Sequence, residues 1–311
     1  MQYDISLPWT QIEDILLIVV FNSPFYQSFP YVDLLYRSFF PNILYCGPET
    51  LNTTKFKQVA DYKVSFIKYE NYRGYENGAF NYQCFMRAVE MGYKVSGYLV
   101  IGDDDLLLLN QVASLPRDKV WADDAGYIGD FSQMPAKQCV FDKCERNDTD
   151  YWVTKYQDSI VDTLHYLGKH HQHHTALNKC YHGLLKQTGS PRRIKRQISD
   201  IFYIPVSMQW DVHAVMQMFL KHKVFLEFAI PTTLLCLSDS SQPVYLSGVK
   251  IWGKERRRQI WKFPIDDILP PGYMYFHPAK WSALEAGDED CKSLFCTKAV
   301  PLMYDPNFTT G

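Results

Sequence analysis

Gly97-Tyr98-Leu99-Val100-Ile101-Gly102-Asp103-Asp104-Asp105 runs from an unbroken apolar segment straight into three acids. Like charges a few ångströms apart repel, so three consecutive aspartates at the end of a buried strand need something positive. A divalent hard cation meets that need when one or two carboxylates and the phosphate oxygens of a substrate hold it together. The stretch therefore reads as a strand end that grips a metal-bridged nucleotide. The competing reading is a solvated turn with an acidic helix cap.

Upstream, Ile15 to Phe21 is a continuous apolar run closed by Asn22-Ser23-Pro24, and it reads as a fully buried strand of a mostly parallel sheet. Tyr31 to Phe40 has helical spacing and stops at Pro41. Asn42 to Cys46 and Val64 to Tyr69 read as further strands. Asn77 to Met91 reads as a helix with Phe80, Cys84, Phe85 and Ala88 on one face, and Val95 to Ile101 as the fourth strand. The alternation predicts an open α/β sheet flanked by helices, with its ligand at the carboxyl ends of the strands. The aspartates stand at such an end.

Downstream, Asp123 to Gly189 is less regular. It carries Lys169-His170-His171-Gln172-His173-His174, read as a solvated or acceptor-facing insertion in preference to a transition-metal site. Ser190 to Arg196 is basic. Asp211 to Lys221 has the period of a helix, and Lys223 to Leu237 reads as a strand broken by Pro231. The chain divides into a nucleotide-binding half (1–122), an irregular insertion (123–200) and an acceptor half with its tail (201–311), all within one domain.

The 311 residues are 47% hydrophobic, ample for a sizeable core, and the net charge of −2 lacks the basic excess of a general nucleic-acid binder. No apolar run is long enough to span a membrane, so membrane attachment would require an anchor absent from this chain. Of eight cysteines, Cys139 with Cys144 and Cys291 with Cys296 are spaced to staple local loops. Glycosylation sequons begin at Asn52, Asn147 and Asn307. Together these point to a lumenal or extracellular chain.

The stretch from Gly97 to Asp105 resembles the DxD motif of GT-A fold glycosyltransferases. Continued through Leu115-Pro116-Arg117-Asp118-Lys119-Val120-Trp121, it resembles the STELLO-like family of Golgi glycosyltransferases. Asp200 to Leu235 and Tyr275-Phe276-His277-Pro278-Ala279-Lys280 add to the likeness. The resemblance implies a GT-A-like sheet, a nucleotide-sugar donor, a glycan, glycoprotein or glycolipid acceptor, and Mn²⁺ or Mg²⁺ bridging the donor diphosphate. It also implies a place in the Golgi or another secretory lumen.

Asp103, Asp104 and Asp105 are then the candidate metal ligands, with His277 supplying a late imidazole. Asp103 and Asp105 alternate along the chain, so one is expected on the metal and the other on ribose or a metal-bound water; Asp104 shares both expectations. Asn22 stands where base or ribose is read, and Arg73 and Asn77 are further donor-side candidates. Asp211, at the start of a helix in the second half, is the expected general base. Glu227 is a second candidate for that base, ranked behind Asp211 because a strand acid flanked by aromatics more often faces solvent. Lys254, Arg256, Arg257 and Arg258 form a charge run able to neutralise pyrophosphate. Two other readings compete: a haloacid-type phosphatase, which also uses Asp-x-Asp but after its first strand, and a GT-A-like module that binds partners without catalysis.

Overall fold

The computed structural model describes residues 11–51, 64–123, 126–131, 148–197, 200–238, 243–251, 272–279, 292–293 and 295–304. Along the chain the described strands are β1 (Ile15–Val20), β2 (Ile43–Gly47), β3 (Ser65–Lys68), β4 (Gly97–Gly102), β5 (Leu106–Leu107), β6 (Trp121–Asp123), β7 (Tyr127–Asp130), β8 (Arg193–Arg196), β9 (Phe202–Pro205), β10 (Val244–Leu246), β11 (Gly248–Lys250) and β12 (Tyr275–His277). The principal helices are α1 (Phe29–Tyr36), α2 (Gln83–Met91), α3 (Leu109–Val112), α4 (Asp148–His170), α5 (Thr175–Thr188), α6 (Gln209–Lys221) and α7 (Leu226–Leu237).

Seven strands form one sheet in the order β3-β2-β1-β4-β9-β6-β10. β3, β2, β1 and β4 run parallel, β9 is antiparallel to both its neighbours, and β10 is parallel to β6. This is the mostly parallel, helix-flanked sheet expected of a GT-A-like fold. β1, β2 and β4 read as continuous apolar runs because both faces are covered. Ile15, Leu17 and Val19 enter a core shared with α1, while Leu16, Ile18 and Val20 enter the core of α2 and α4 to α7.

Trp121, fully buried in β6, stacks on Tyr203 at 4.0 Å and donates its indole N–H to the Pro116 carbonyl at 2.8 Å. The Lys-x-Trp segment is thus an anchor of the sheet. A second sheet, β11-β12-β5, sits at the carboxyl end of β4, and β7 pairs with β8 as a separate ribbon.

Several expectations change. Lys223 to Leu237 contains helix α7 in place of the broken strand. The helix is buried on almost every side, so no polar face reveals its period. Pro231 lacks the N–H that would bond the Glu227 carbonyl one turn back, and the Gln197 N–H takes that carbonyl at 3.0 Å. Helix α2 starts later than Asn77, because Gly78 has φ +80° and the preceding segment is a chain of turns. The stretch expected to be irregular holds two helices, α4 and α5.

Among the described residues the bridges join elements: Cys46–Cys84 links β2 to α2, and Cys180–Cys236 links α5 to α7. Cys296 is an exposed free thiol, so the expected local pair with Cys291 does not form. Cys139, Cys144, Cys291, the three sequon asparagines, and Lys254 with Arg256, Arg257 and Arg258 lie outside the described residues. Among the described residues no helix is long and apolar enough to cross a membrane.

Candidate active site

β4 ends beside β1, and the Asp103 N–H continues the ladder by donating to the Val20 carbonyl at 2.8 Å. The chain then turns. The Asp105 N–H donates to the Gly102 carbonyl at 3.2 Å, and Asp105 Oδ2 accepts from the Gly102 N–H at 2.7 Å. Because 102–105 is a closed turn, the acids do not alternate as they would along a strand. Asp104 and Asp105 face one way, toward His277. Asp103 lies toward Tyr26 and Tyr69. Burial, with a contribution from the Asp103 charge, raises both phenols, Tyr26 to about 12.

His277 arrives by strand pairing. β5 follows the turn directly and pairs antiparallel with β12, setting Leu107 against Tyr275 and Leu106 against Phe276. The next residue along β12 therefore meets the residue before β5, and His277 Nδ1 lies 2.9 Å from Asp105 Oδ1. It is 3.6 Å from Asp104 Oδ1, while Nε2 faces Asp200 Oδ2 at 3.5 Å. Burial alone would lower the imidazole. The Asp200, Asp104 and Asp105 carboxylates outweigh it and push His277 up to about 10. His277 is thus an imidazolium at neutral pH, with Nδ1–H donated to Asp105. Burial pushes Asp105 itself up to about 6, against the pull of His277.

The turn is braced from below. The buried Tyr36 hydroxyl donates to the Asp105 carbonyl at 2.9 Å and accepts from the Leu107 N–H at 3.1 Å. At the carboxyl end of β6, Asp123 is 1% exposed, accepts from the Tyr275 hydroxyl at 2.9 Å and pairs with Lys250. That pairing fastens the small sheet, and His277 with it, to the large one.

Glu227 does not face solvent as expected. It lies in the first turn of α7, 3.4 Å from Arg196 Nη2, and burial with the Asp200 charge pushes it up to about 7 against the Arg196 and His277 charges. Arg196 Nε is buried with no hydrogen-bond partner among the described residues. Asn22 follows β1 at the same edge of the sheet, and its Oδ1 accepts from Asn81 Nδ2 at 3.2 Å. Gly78 permits this approach, since a Cβ there would lie 2.3 Å from Asn22 Oδ1. Arg73 and Asn77 stand exposed on the turns before α2.

Asp211 goes elsewhere. β9 is antiparallel to β4 with Pro205 level with Gly97, so α6 begins at the end of the sheet opposite the aspartates. There Asp211 pairs with Lys179 at 2.6 Å. Asp200, Asp123 and Arg196 are the cluster residues that sequence reading did not single out. Asp200 sits in a loop with no motif around it, and its role appears only when β8, β9 and β12 converge.

The family model for STELLO glycosyltransferases matches residues 2–188, more than half of the chain and the whole of the strand-and-turn unit that carries the aspartates. The chain belongs to the STELLO glycosyltransferase family. No curated protein matches it. As a STELLO member the protein is a transferase, which sets the haloacid-type phosphatase aside. Carboxylates and an imidazole make a donor set suited to Mn²⁺ or Mg²⁺. Among the described residues, however, no group of three or more acid, histidine or cysteine side chains is arranged to hold a metal ion. They gather instead around the cationic His277, which must shed its proton before it can ligate a metal.

Proposed function

We propose that this STELLO protein moves a sugar from a nucleotide-sugar donor to a hydroxyl of a glycan, glycoprotein or glycolipid, with Mn²⁺ or Mg²⁺ held at Asp103 to Asp105. The observation that carries the reading is the β5–β12 pairing, which sets His277 against an aspartate turn at the carboxyl end of a central parallel strand. That end is where open α/β sheets bind their ligands. Asp104 would hold the ion on the side that faces His277, which would join once deprotonated, and Asp103 would meet the donor from the other side of the turn. When bound, the metal supplies charge stabilisation for the departing diphosphate. Asn22, at the end of β1, would read the nucleoside.

Glu227, and not Asp211, is the base we assign. It sits near Asp200 and His277 and is pushed up to about 7, whereas Asp211 lies at the other end of the sheet. Its carboxylate would take the proton of the acceptor hydroxyl as that oxygen bonds to the anomeric carbon and the bond to the diphosphate oxygen breaks. Two interior disulfides suit an oxidising compartment, and we place the chain in the secretory lumen, the Golgi in particular. The test is transfer or hydrolysis across a panel of nucleotide sugars with Mn²⁺. Turnover of one donor, lost in Asp103→Ala, supports the assignment; no turnover of any donor, together with metal-independent partner binding, would favour a non-catalytic module.

A further inference from the structure

A cleft of about 820 Å³ opens at the amino-terminal end of β4, β6 and β10, behind the catalytic turn. β4 separates the two places by its length of about 20 Å, at ~3.3 Å per residue. A second cleft of about 470 Å³ adjoins the first and shares Lys179 and His182 with it, so the two form one trough along α5.

Its floor is fixed. Cys180–Cys236 links α5 to α7, and the helices touch so closely that a Cβ on Gly183 would lie 1.8 Å from the Cys236 carbonyl oxygen. A trough on so rigid a base is pre-formed, as ligand sites usually are.

The walls define the ligand. Tyr245 on β10 lines the cleft and remains 45% exposed, leaving an aromatic face to water. Both signs of charge are interspersed around it: Asp118 and Asp211 among Lys119, Lys179 and Lys186. A phosphate entering there would meet two carboxylates, and an apolar ligand would strip water from five charges. Sugar hydroxyls both donate and accept, so they satisfy carboxylate and ammonium alike. The C–H face of a pyranose stacks on an aromatic ring. The combined volume of the two adjoining clefts suits a chain of sugars better than one.

We propose that this trough is a second glycan-binding site, which takes a neutral oligosaccharide at the end of the molecule opposite the transfer chemistry. The choice of ligand rests on the chain being a glycosyltransferase, but the test reads binding and not turnover.

Isothermal titration of the intact chain with neutral hexaoses of several linkages (cello-, manno- and maltohexaose), and with inorganic pyrophosphate as the anionic probe, decides it. The expected result is binding of at least one hexaose, weakened tenfold or more in Tyr245→Ala and in Asp118→Ala, unchanged in Asp103→Ala and not displaced by pyrophosphate. The proposal is overturned if no hexaose binds, or if Tyr245→Ala binds as tightly as the unaltered chain. Binding lost in Asp103→Ala would relocate the sugar to the catalytic end, and displacement by pyrophosphate would make the trough an anion site; either overturns it. Donor turnover in the same preparations reports on the catalytic assignment separately.

Discussion

Asp103 and Asp105 are two residues apart and do different work. Asp105 is buried and committed on both oxygens, to the Gly102 N–H and to His277. Asp105→Ala strands both partners and is expected to lower stability by about 3 kcal/mol in urea denaturation. Asp103 is less buried and lies toward Tyr26 and Tyr69, away from His277. Asp103→Ala is expected to cost under ~1 kcal/mol while abolishing transfer. Equal stability losses in the two variants would contradict this division. Glu227 adds a pH test. Its carboxylate is the active form of a base, so transfer should rise as pH climbs through about 7. In Glu227→Gln that rise should vanish and the rate fall by about 10²- to 10⁴-fold. A profile that keeps its limb in the variant would move the base to another residue.

At the scale of elements, α4 is fastened to the turns before α2 by Glu76, which accepts from the Tyr156 hydroxyl at 2.6 Å and pairs with Lys155. Burial works to raise Glu76, but Lys155 and Tyr156 outweigh it and hold the carboxyl below its ordinary range. A lowered folded-state pKa stabilises above the unfolded value of 4.5 and is lost as pH falls through the folded one. Glu76→Gln should therefore cost about 1 kcal/mol at pH 7, with the gap to the unaltered chain closing in acid. A gap independent of pH would mean that the contact is not ionic. Gly183→Ala must force α5 and α7 apart at the Cys236 carbonyl, and a loss of about 1–3 kcal/mol is expected by thermal melting.

What could be read in advance follows the same scale. β1 and β4 were legible because burial on both faces writes a continuous apolar run, and the aspartate turn because acids at a strand end need a reason. α7 was not, since a helix buried all round has no period and Pro231 imitates a strand break. The pairing of β5 with β12 was not either. Two leucines carry too little pattern to declare a strand, and its partner lies 172 residues from the acid it delivers His277 to. His277 was reached only through the family likeness.

For the molecule as a whole, the two disulfides close loops with sequence separations of 38 and 56 residues between β2 and α2 and between α5 and α7. Chain-entropy reasoning assigns each about 4 kcal/mol. Replacing Cys180 and Cys236 by alanine should lower the unfolding midpoint, and reduction should lower that variant's midpoint further by breaking Cys46–Cys84. Both bridges flank the sheet on the α2 side, whereas the aspartate turn is braced by hydrogen bonds from Tyr36 and by the Asp123–Tyr275–Lys250 group. The aspartate end of the sheet is thus held by polar contacts between the two sheets. The most direct test is a crystal structure of the chain with Mn²⁺ and a series of nucleoside diphosphates. The expected result is an anomalous metal peak on Asp103 or Asp104 with the diphosphate at the carboxyl ends of β1 and β4; a metal bound away from Asp103 to Asp105 would contradict it.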